Sequence, residues 1–246
     1  MSSSNPKPTL LVFTLGPCAE NLRKRLLPHG LSAAEHQLHQ AGLDRAIDAG
    51  RQAGCDVVVA ASASTALPTG VRRLAQKGNG LGARIRSALG TLQRERPGGV
   101  VVIVGTDVPG LTTQHIRAAL TRLDAAPDEV VLGPCPDGGF YLLATRKPLD
   151  PLLARVKWCR RDTLASFLAL LRSNGRSAHL LSPLRDLDRA ADVDAWLAFE
   201  AGGPARVLAR WLLRLRAELL DLPVVLCLGQ PLPAYAPVLS ARGPPL

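Results

Sequence analysis

Val100-Val-Val-Ile-Val104 places five β-branched residues in a row, and no other feature restricts the fold of this chain more. With no polar position to turn toward water, such a run suits a strand buried on both faces. Strands of that kind sit in sheets covered by helices on either side, so the flanking sequence must supply helices. Thr9-Leu-Leu-Val-Phe-Thr14 and Asp56-Val-Val-Val-Ala-Ala61 are further short apolar runs. Between them residues 32–53 have helical spacing. Ser32 is a suitable N-cap, Glu35 follows three residues later as in a capping box, and Gly54 marks the stop. Leu81 to Arg96 reads as a helix closed by Pro97-Gly98-Gly99, and Thr112 to Leu123 as the next. Glu129–Leu132, Phe140–Ala144 and Ala178–Leu181 read as strands, with helices over 161–173 and 190–200. Phe140–Ala144 follows its predecessor too closely for a helical crossover, so it should run antiparallel. The expected class is α/β: an open, mostly parallel mixed sheet with helices on both faces.

The 246 residues divide into a disordered polar arm (1–8), one nucleotide-binding or transferase domain (9–203) and an appendage (204–246). The appendage joins a basic helix carrying Arg206, Arg210, Arg214 and Arg216 to an apolar stretch and a Pro-rich end. It reads as a helix packed on the core or on a second subunit, which makes a homodimer reasonable. Weak peripheral membrane contact through 204–228 is the minority alternative. No uninterrupted apolar run is long enough for a transmembrane helix, and the start lacks a signal-peptide pattern. Five cysteines, an odd number with no metal-site or redox spacing, point to a reduced, cytoplasmic setting. The net charge of +10 comes from scattered Arg without aromatic interleaving, so a phosphorylated small molecule suits it better than nucleic acid.

Five segments could carry chemistry. Gly105-Thr106-Asp107-Val108-Pro109-Gly110 places a carboxylate just beyond the Val-rich strand, at the sheet rim where ligands bind. Asp107 either binds a divalent cation that bridges to phosphate or simply caps the next helix. Asp137, before Gly138 and Gly139, is either a second rim carboxylate or part of an ordinary hairpin turn. Asp188 precedes a helix and is a cap or a further metal ligand, whereas Asp192 only favours that helix's dipole. Beyond the first strand, Glu20, Arg23, Lys24 and Arg25 form either a phosphate-contacting or a solvated basic loop. The Gly-rich stretch through Gly80, Gly82 and Arg84 could bring backbone amides to a base or phosphate. Cys135 is better read as a spectator thiol than as a nucleophile.

Taken in order, these segments resemble a known family from about Leu10 to Leu197. Phe13-Thr14 with Arg25-Leu26, Gly80-Leu81-Gly82-x-Arg84, Gly105-Thr106-Asp107-x-Pro109-Gly110-Leu111, Gly133-Pro134-x-x-Asp137-Gly138-Gly139-Phe140-Tyr141 and Asp186-x-Asp188 carry the likeness, and Trp158 matches a family position. The chain is similar to bacterial GT-A-type glycosyltransferase-like proteins, the radical-SAM/selenodomain-associated transferases, which are related to the molybdenum-cofactor and lactyl-phosphate nucleotidyltransferases. The resemblance implies a GT-A-like, nucleotide-diphospho-sugar transferase fold. It implies Asp107 and Asp137 as catalytic residues, and Asp107, Asp137 and Asp188 as ligands of Mg²⁺ or Mn²⁺. Nucleotide or phosphate contacts would come from Thr14, Arg23, Arg25, Gly80, Gly82, Arg84, Gly105, Thr106, Gly138 and Gly139. The implied activity is metal-dependent glycosyl transfer from a nucleotide-diphospho-sugar. Nucleotidyl transfer to a small phosphorylated acceptor, or nucleotide binding without catalysis, are the alternatives. The first loop departs from the family pattern Pro-Gly-x-Val/Ala-Lys-Thr-Arg-Leu: Glu20 stands for the Gly, Arg23 for the Lys and Lys24 for the Thr.

Overall fold

The computed structural model describes residues 6–24, 26–27, 32–61 and 65–194. Arg25, most of the N-terminal arm, the end of the 190–200 helix and the whole appendage, with its membrane and dimer readings, lie outside the described residues.

Strands β1 (Thr9–Phe13), β2 (Asp56–Ala61), β3 (Arg72–Ala75), β4 (Val101–Val104), β5 (Val130–Pro134), β6 (Phe140–Thr145) and β7 (Ala178–Leu180) form a single sheet in the order β3-β2-β1-β4-β6-β5-β7. The β1–β2, β1–β4, β2–β3 and β5–β7 pairs are parallel. Among the described strands only β6 is antiparallel, to both β4 and β5, as the short connection before Phe140 requires. Helices α1 (Pro17–Lys24), α2 (Ser32–Gln52), α3 (Gly80–Glu95), α4 (Thr113–Ala125), α5 (Asp150–Leu153) and α6 (Thr163–Ser173) complete the described elements.

Alternation along the strands divides the core into two layers. Leu10, Val12, Val59, Val102 and Val104 pack with Leu43 and Ile47 of α2 and with Ile116, Ala119 and Leu123 of α4. Leu11, Val58, Ala60, Val101 and Ile103 pack on the other face with Ile85 and Leu89 of α3, Leu152 of α5 and Phe167 of α6. Each such side chain contributes roughly 1.5–3 kcal/mol when fully buried, which explains why the apolar runs become the central strands.

Local signals agree at several ends. Thr112 caps α4 in a capping box with His115, and α2 stops before Gly54. Elsewhere the structure corrects the reading. The segment after β1 is a helix, α1, with Pro17 at its start, Glu20 in its first turn and Arg23 and Lys24 in its last. The Glu35 carboxylate accepts hydrogen bonds from the backbone N–H groups of Leu26 and Leu27. It therefore anchors the α1–α2 connection. β3, with no buried residue, was not foreseen.

From β1 the chain moves outward through β2 and β3, then returns to β4 on the other side of β1. The crevice between the carboxyl ends of β1 and β4 is thus the topological switch point, where open α/β sheets bind ligands. Because β6 is antiparallel, the turn after β5 and the segment after β7 reach the same rim.

Candidate functional site

Four acidic residues gather at this rim: Asp107 after β4, Asp137 between β5 and β6, and Asp186 and Asp188 after β7. The polypeptide enforces the arrangement. Leu187 N–H donates to the Asp107 carbonyl at 2.8 Å and Leu184 N–H to the Pro134 carbonyl at 3.1 Å, so the segment after β7 is stitched to the ends of β4 and β5. Asp192 Oδ2 accepts from the Asp188 and Arg189 N–H groups at 3.1 and 2.8 Å. Its role is to cap the helical turn that follows.

Lys24, the last residue of α1, reaches into the middle. Its Nζ lies 2.6 Å from Asp107 Oδ2, 2.6 Å from Asp188 Oδ1 and 2.9 Å from the Leu187 carbonyl oxygen. An ammonium has three N–H donors, and here three oxygens receive them. The Lys24 side chain is 1% exposed, against 30% for Asp107 and 45% for Asp188. Burial alone would raise the Asp107 carboxyl, but Lys24 outweighs it and holds the group below its ordinary value. For Lys24 burial works to lower the value, and Asp107 and Asp188 together raise it well above the ordinary lysine. Behind this node sits His39, buried, with Glu35 Oε1 at 3.8 Å from its Nε2. Burial and the neighbouring Lys24 push His39 down to about 4, so it is neutral. Arg23, one residue earlier, donates through Nε and Nη2 to Glu20 Oε2 at 3.2 and 3.0 Å. Its Nη2 is 4.0 Å from Asp188 Oδ1, and its side chain is half exposed. Glu20 is therefore neutralised by Arg23.

Among the contacts described, no such counter-charge meets the other half of the rim. Ligand atoms of Cys135, Asp137 and Asp186 all lie within 4.8 Å of one another. Burial, followed by the charges of Asp137, Asp107 and Asp188, pushes Asp186 up to about 7. The Cys135 thiol is pushed far above its ordinary value by burial and then by the same carboxylates, so it is a neutral thiol and not a nucleophile. The structure thus brings Asp107 and Asp188 together around Lys24, and sets Asp137 beside Asp186 instead. In the sequence Asp186 stands out only as the first member of the Asp-x-Asp motif, which gives it no role of its own. The spacing was its signal, since residues two apart on extended chain share a side.

The remaining candidates occupy mixed positions. Thr14 and Thr106 meet through their hydroxyls at 3.3 Å, across the crevice. Gln76 Nε2 donates to the Thr14 and Ala60 carbonyls at 2.6 and 2.8 Å, fixing the Gly-rich segment to the ends of β1 and β2. Arg84 turns back onto the Gly78 carbonyl at 3.2 Å. Gly82 is buried, and a Cβ there would come 2.1 Å from the Trp158 indole nitrogen, so its small size serves packing. Gly138 has φ +95°, and a Cβ would come 1.8 Å from the Arg161 carbonyl oxygen. With Leu164 N–H donating to the Gly138 carbonyl at 2.9 Å, the turn that aims Asp137 is clamped to the start of α6. Gly139 N–H donates to Asp137 Oδ1 at 2.8 Å, and Gly80 has open space around it.

A second depression lies at the opposite edge of the sheet, lined by Thr9, Arg51, Asp56, Arg72, Glu95 and Arg96 among others. Its charges already answer one another. Arg72 binds both oxygens of Glu95 at 2.6 Å, and Arg96 pairs with Asp56 at 2.5 Å. The carboxyl-end rim is the site with charge left over.

Residues 33–160 match the family described as "Uncharacterized protein conserved in bacteria (DUF2064)". No curated protein sequence matches the chain. Among solved structures, one described as a candidate nucleotide-diphospho-sugar transferase from Desulfovibrio desulfuricans G20 superposes with a TM-score of 0.70 at 18% identity, covering 87% of this chain and 96% of that one. Rv0371c from Mycobacterium tuberculosis H37Rv gives 0.50 at 19% identity, over 78% and 97%. The 4-diphosphocytidyl-2C-methyl-D-erythritol synthase of Anaerococcus prevotii DSM 20548 gives 0.51 at 10% identity, over 78% and 99%. At these identities the likeness is one of fold, and the fold is the GT-A-like one.

Proposed function

We infer that this chain, which belongs to the bacterial DUF2064 family, is a transferase that holds the phosphates of a nucleotide-diphospho-sugar in the β1–β4 crevice and passes on the glycosyl group. The observation that carries this reading is the convergence of four carboxylates, from three strand-end loops, at the switch point: Asp107 and Asp188 on the buried ammonium of Lys24, and Asp137 beside Asp186. Four carboxylates by themselves would repel a diphosphate, so such a rim suits a polyanionic leaving group with a divalent cation on the carboxylates and the Arg23 guanidinium beside them.

The roles follow from the geometry. Lys24 locks the end of α1 to the loops after β4 and β7 and sets the orientation of Asp107. Arg23 presents a half-exposed guanidinium beside Asp188. Two of its five N–H donors face Glu20, leaving others for a phosphate. Thr14 and Thr106 line the crevice floor, where a diphosphate would lie. Asp137 and Asp186 suit Mg²⁺ or Mn²⁺: both offer hard carboxylate oxygens, and the charge crowding that raises Asp186 is what a divalent cation relieves. When bound, such a cation would neutralise charge on the departing diphosphate. Cys135, neutral and buried, excludes water behind them.

The same rim would also accept a nucleoside triphosphate, with pyrophosphate leaving and a nucleotidyl group transferred. Calorimetric titration with UDP-glucose, UDP-GlcNAc, GDP-mannose, GTP and CTP, each with Mn²⁺, Mg²⁺ or EDTA, separates the readings. Tighter metal-assisted binding of a nucleotide-sugar, weakened at least tenfold in Asp137→Ala, supports glycosyl transfer. Preference for a triphosphate supports nucleotidyl transfer. Binding indifferent to metal supports a non-catalytic nucleotide-binding role, and no binding of any ligand refutes the site.

A further inference from the structure

We propose that one water molecule is a fixed part of this protein, held between α2 and the loop after β4 by the His39 imidazole, the Thr106 carbonyl and the Asp107 carboxylate. The site follows from a cavity and its lining, whatever ligand the rim takes. It gives the loop that carries Asp107 a tie to α2, in addition to its tie to α1 through Lys24.

A cavity lined by His39, Gly42, Thr106 and Asp107, with Leu26 and Leu38 as apolar wall, leaves about 20 Å³ for the centre of a water molecule. About 10–15 Å³ suffices for one water, and a phosphate or a sugar ring is far too large. His39 is 6% exposed, and its Nε2 is buried without a hydrogen-bond partner among the described residues. Glu35 Oε1 stands 3.8 Å away, beyond hydrogen-bond reach, and already accepts from the Leu26 N–H at 2.5 Å. A buried polar atom left unbonded is costly, and ordered water answers many such atoms in native proteins. Gly42 follows His39 by three positions, so both lie on one face of α2. A Cβ at Gly42 would come 2.1 Å from the Thr106 carbonyl oxygen, which places that acceptor on the same wall as His39. The occupant therefore meets a carbonyl and a carboxylate, which only accept, and a nitrogen of a neutral ring. Water fits this set: it donates one hydrogen to Thr106 and one to Asp107, and accepts from an Nε2–H of His39. Three hydrogen bonds are the usual number for a buried water, and the arrangement fixes His39 as the Nε2–H tautomer.

Two measurements on the full-length chain without nucleotide test this. A high-resolution crystal structure should show density for one water at about 2.7–3.2 Å from His39 Nε2, also in contact with the Thr106 carbonyl and Asp107. Nitrogen NMR of histidine-labelled protein near neutral pH should find His39 with its proton on Nε2, and a cross-peak from that proton to a long-lived water. In variants, His39→Leu should lose the water and lower the urea midpoint, and His39→Gln, whose amide can donate to the water, should keep the water and recover most of the midpoint. A cavity without density, with Nε2 bonded directly to Glu35 or Asp107, overturns the proposal, as does a proton on Nδ1. So does a His39→Leu protein more stable than wild type, which is what removal of a dry, unbonded nitrogen would give. An anomalous peak in the cavity of crystals soaked in MnCl₂ would make the occupant a metal ion and overturn it as well. Should His39→Leu fail to fold, the density and the tautomer of the wild-type chain decide. Because nucleotide is absent throughout, failure of the donor-site reading would show only in the nucleotide titrations.

Discussion

The Lys24–Asp107 contact can be weighed by a double-mutant cycle of Lys24→Met and Asp107→Asn. Breaking a buried ion pair by removing one partner costs about 3–5 kcal/mol when the survivor stays buried and unpaired. Here the survivor differs between the two variants. Asp107→Asn leaves an ammonium that is 1% exposed but still bonded to Asp188 and to the Leu187 carbonyl, so the loss should be about 2 kcal/mol. Lys24→Met leaves two carboxylates that are 30% and 45% exposed and can recover water, and a side chain of similar volume fills the space, so about 1–2 kcal/mol is expected. The double variant removes charge from both ends of the contact and should lose less than the sum, by about 1–2 kcal/mol. The folded Asp107 value is depressed, so its contribution is present above the unfolded carboxylate value and lost as pH falls through the folded one. The folded Lys24 value is raised, so its contribution is present below the unfolded lysine value and lost as pH rises through the folded one. Coupling is therefore full between about pH 5 and 9. Urea unfolding at pH 7, comparing midpoints at constant slope, gives the four free energies. Additivity within about 0.5 kcal/mol would refute the coupling.

Other variants probe the remaining parts. Asp186, pushed up to about 7, contributes stability below the unfolded carboxylate value that is lost as pH rises through 7. Asp186→Asn in EDTA should therefore be more stable than wild type at pH 8, by about 1–3 kcal/mol, with the difference vanishing near pH 4; denaturant melts across that range check it. Gly138→Ala must move either the turn or the Arg161 carbonyl that its Cβ would strike at 1.8 Å. About 3 kcal/mol and a fall of about 6–12 °C in Tm are expected by calorimetry. Phe167→Ala empties a fully buried position beside Phe140 and should cost about 3–5 kcal/mol by urea unfolding, with Mn²⁺ affinity unchanged in protein that stays folded.

What could be read in advance divides along physical lines. Val101–Val104, Leu10–Val12 and Val57–Ala61 announce themselves because burial on both faces leaves apolar residues at successive positions. α3 and α4 do so through their apolar periodicity. β3 does not, because Arg72-Arg73-Leu74-Ala75 has no fully buried residue, Leu74 alone being partly buried, and it becomes a strand by pairing with β2. α1 was read as a basic loop although it has Pro at its first position, an acid in its first turn and bases in its last, the usual charge order of a short helix. The rim carboxylates were legible as strand-end acids, Asp107 most clearly. The role of Lys24 was not, since its partners lie 83 and 164 positions away in the chain (107 − 24 and 188 − 24). Gly82 and Gly138 looked like ligand-contacting glycines. Their neighbours, Trp158 and the Arg161 carbonyl, come from a distant segment that no local pattern points to.

Everything proposed for this rim depends on nucleotide phosphates sitting in the β1–β4 crevice. The most direct measurement is a crystal structure of the chain grown with UDP and MnCl₂. A diphosphate is expected between Thr14 and Thr106, within hydrogen-bond reach of Arg23, with Mn²⁺ on Asp137 and Asp186 and the Lys24 ammonium still between Asp107 and Asp188. A diphosphate seated instead in the depression beside Arg72 and Arg96, at the opposite edge of the sheet, would contradict it.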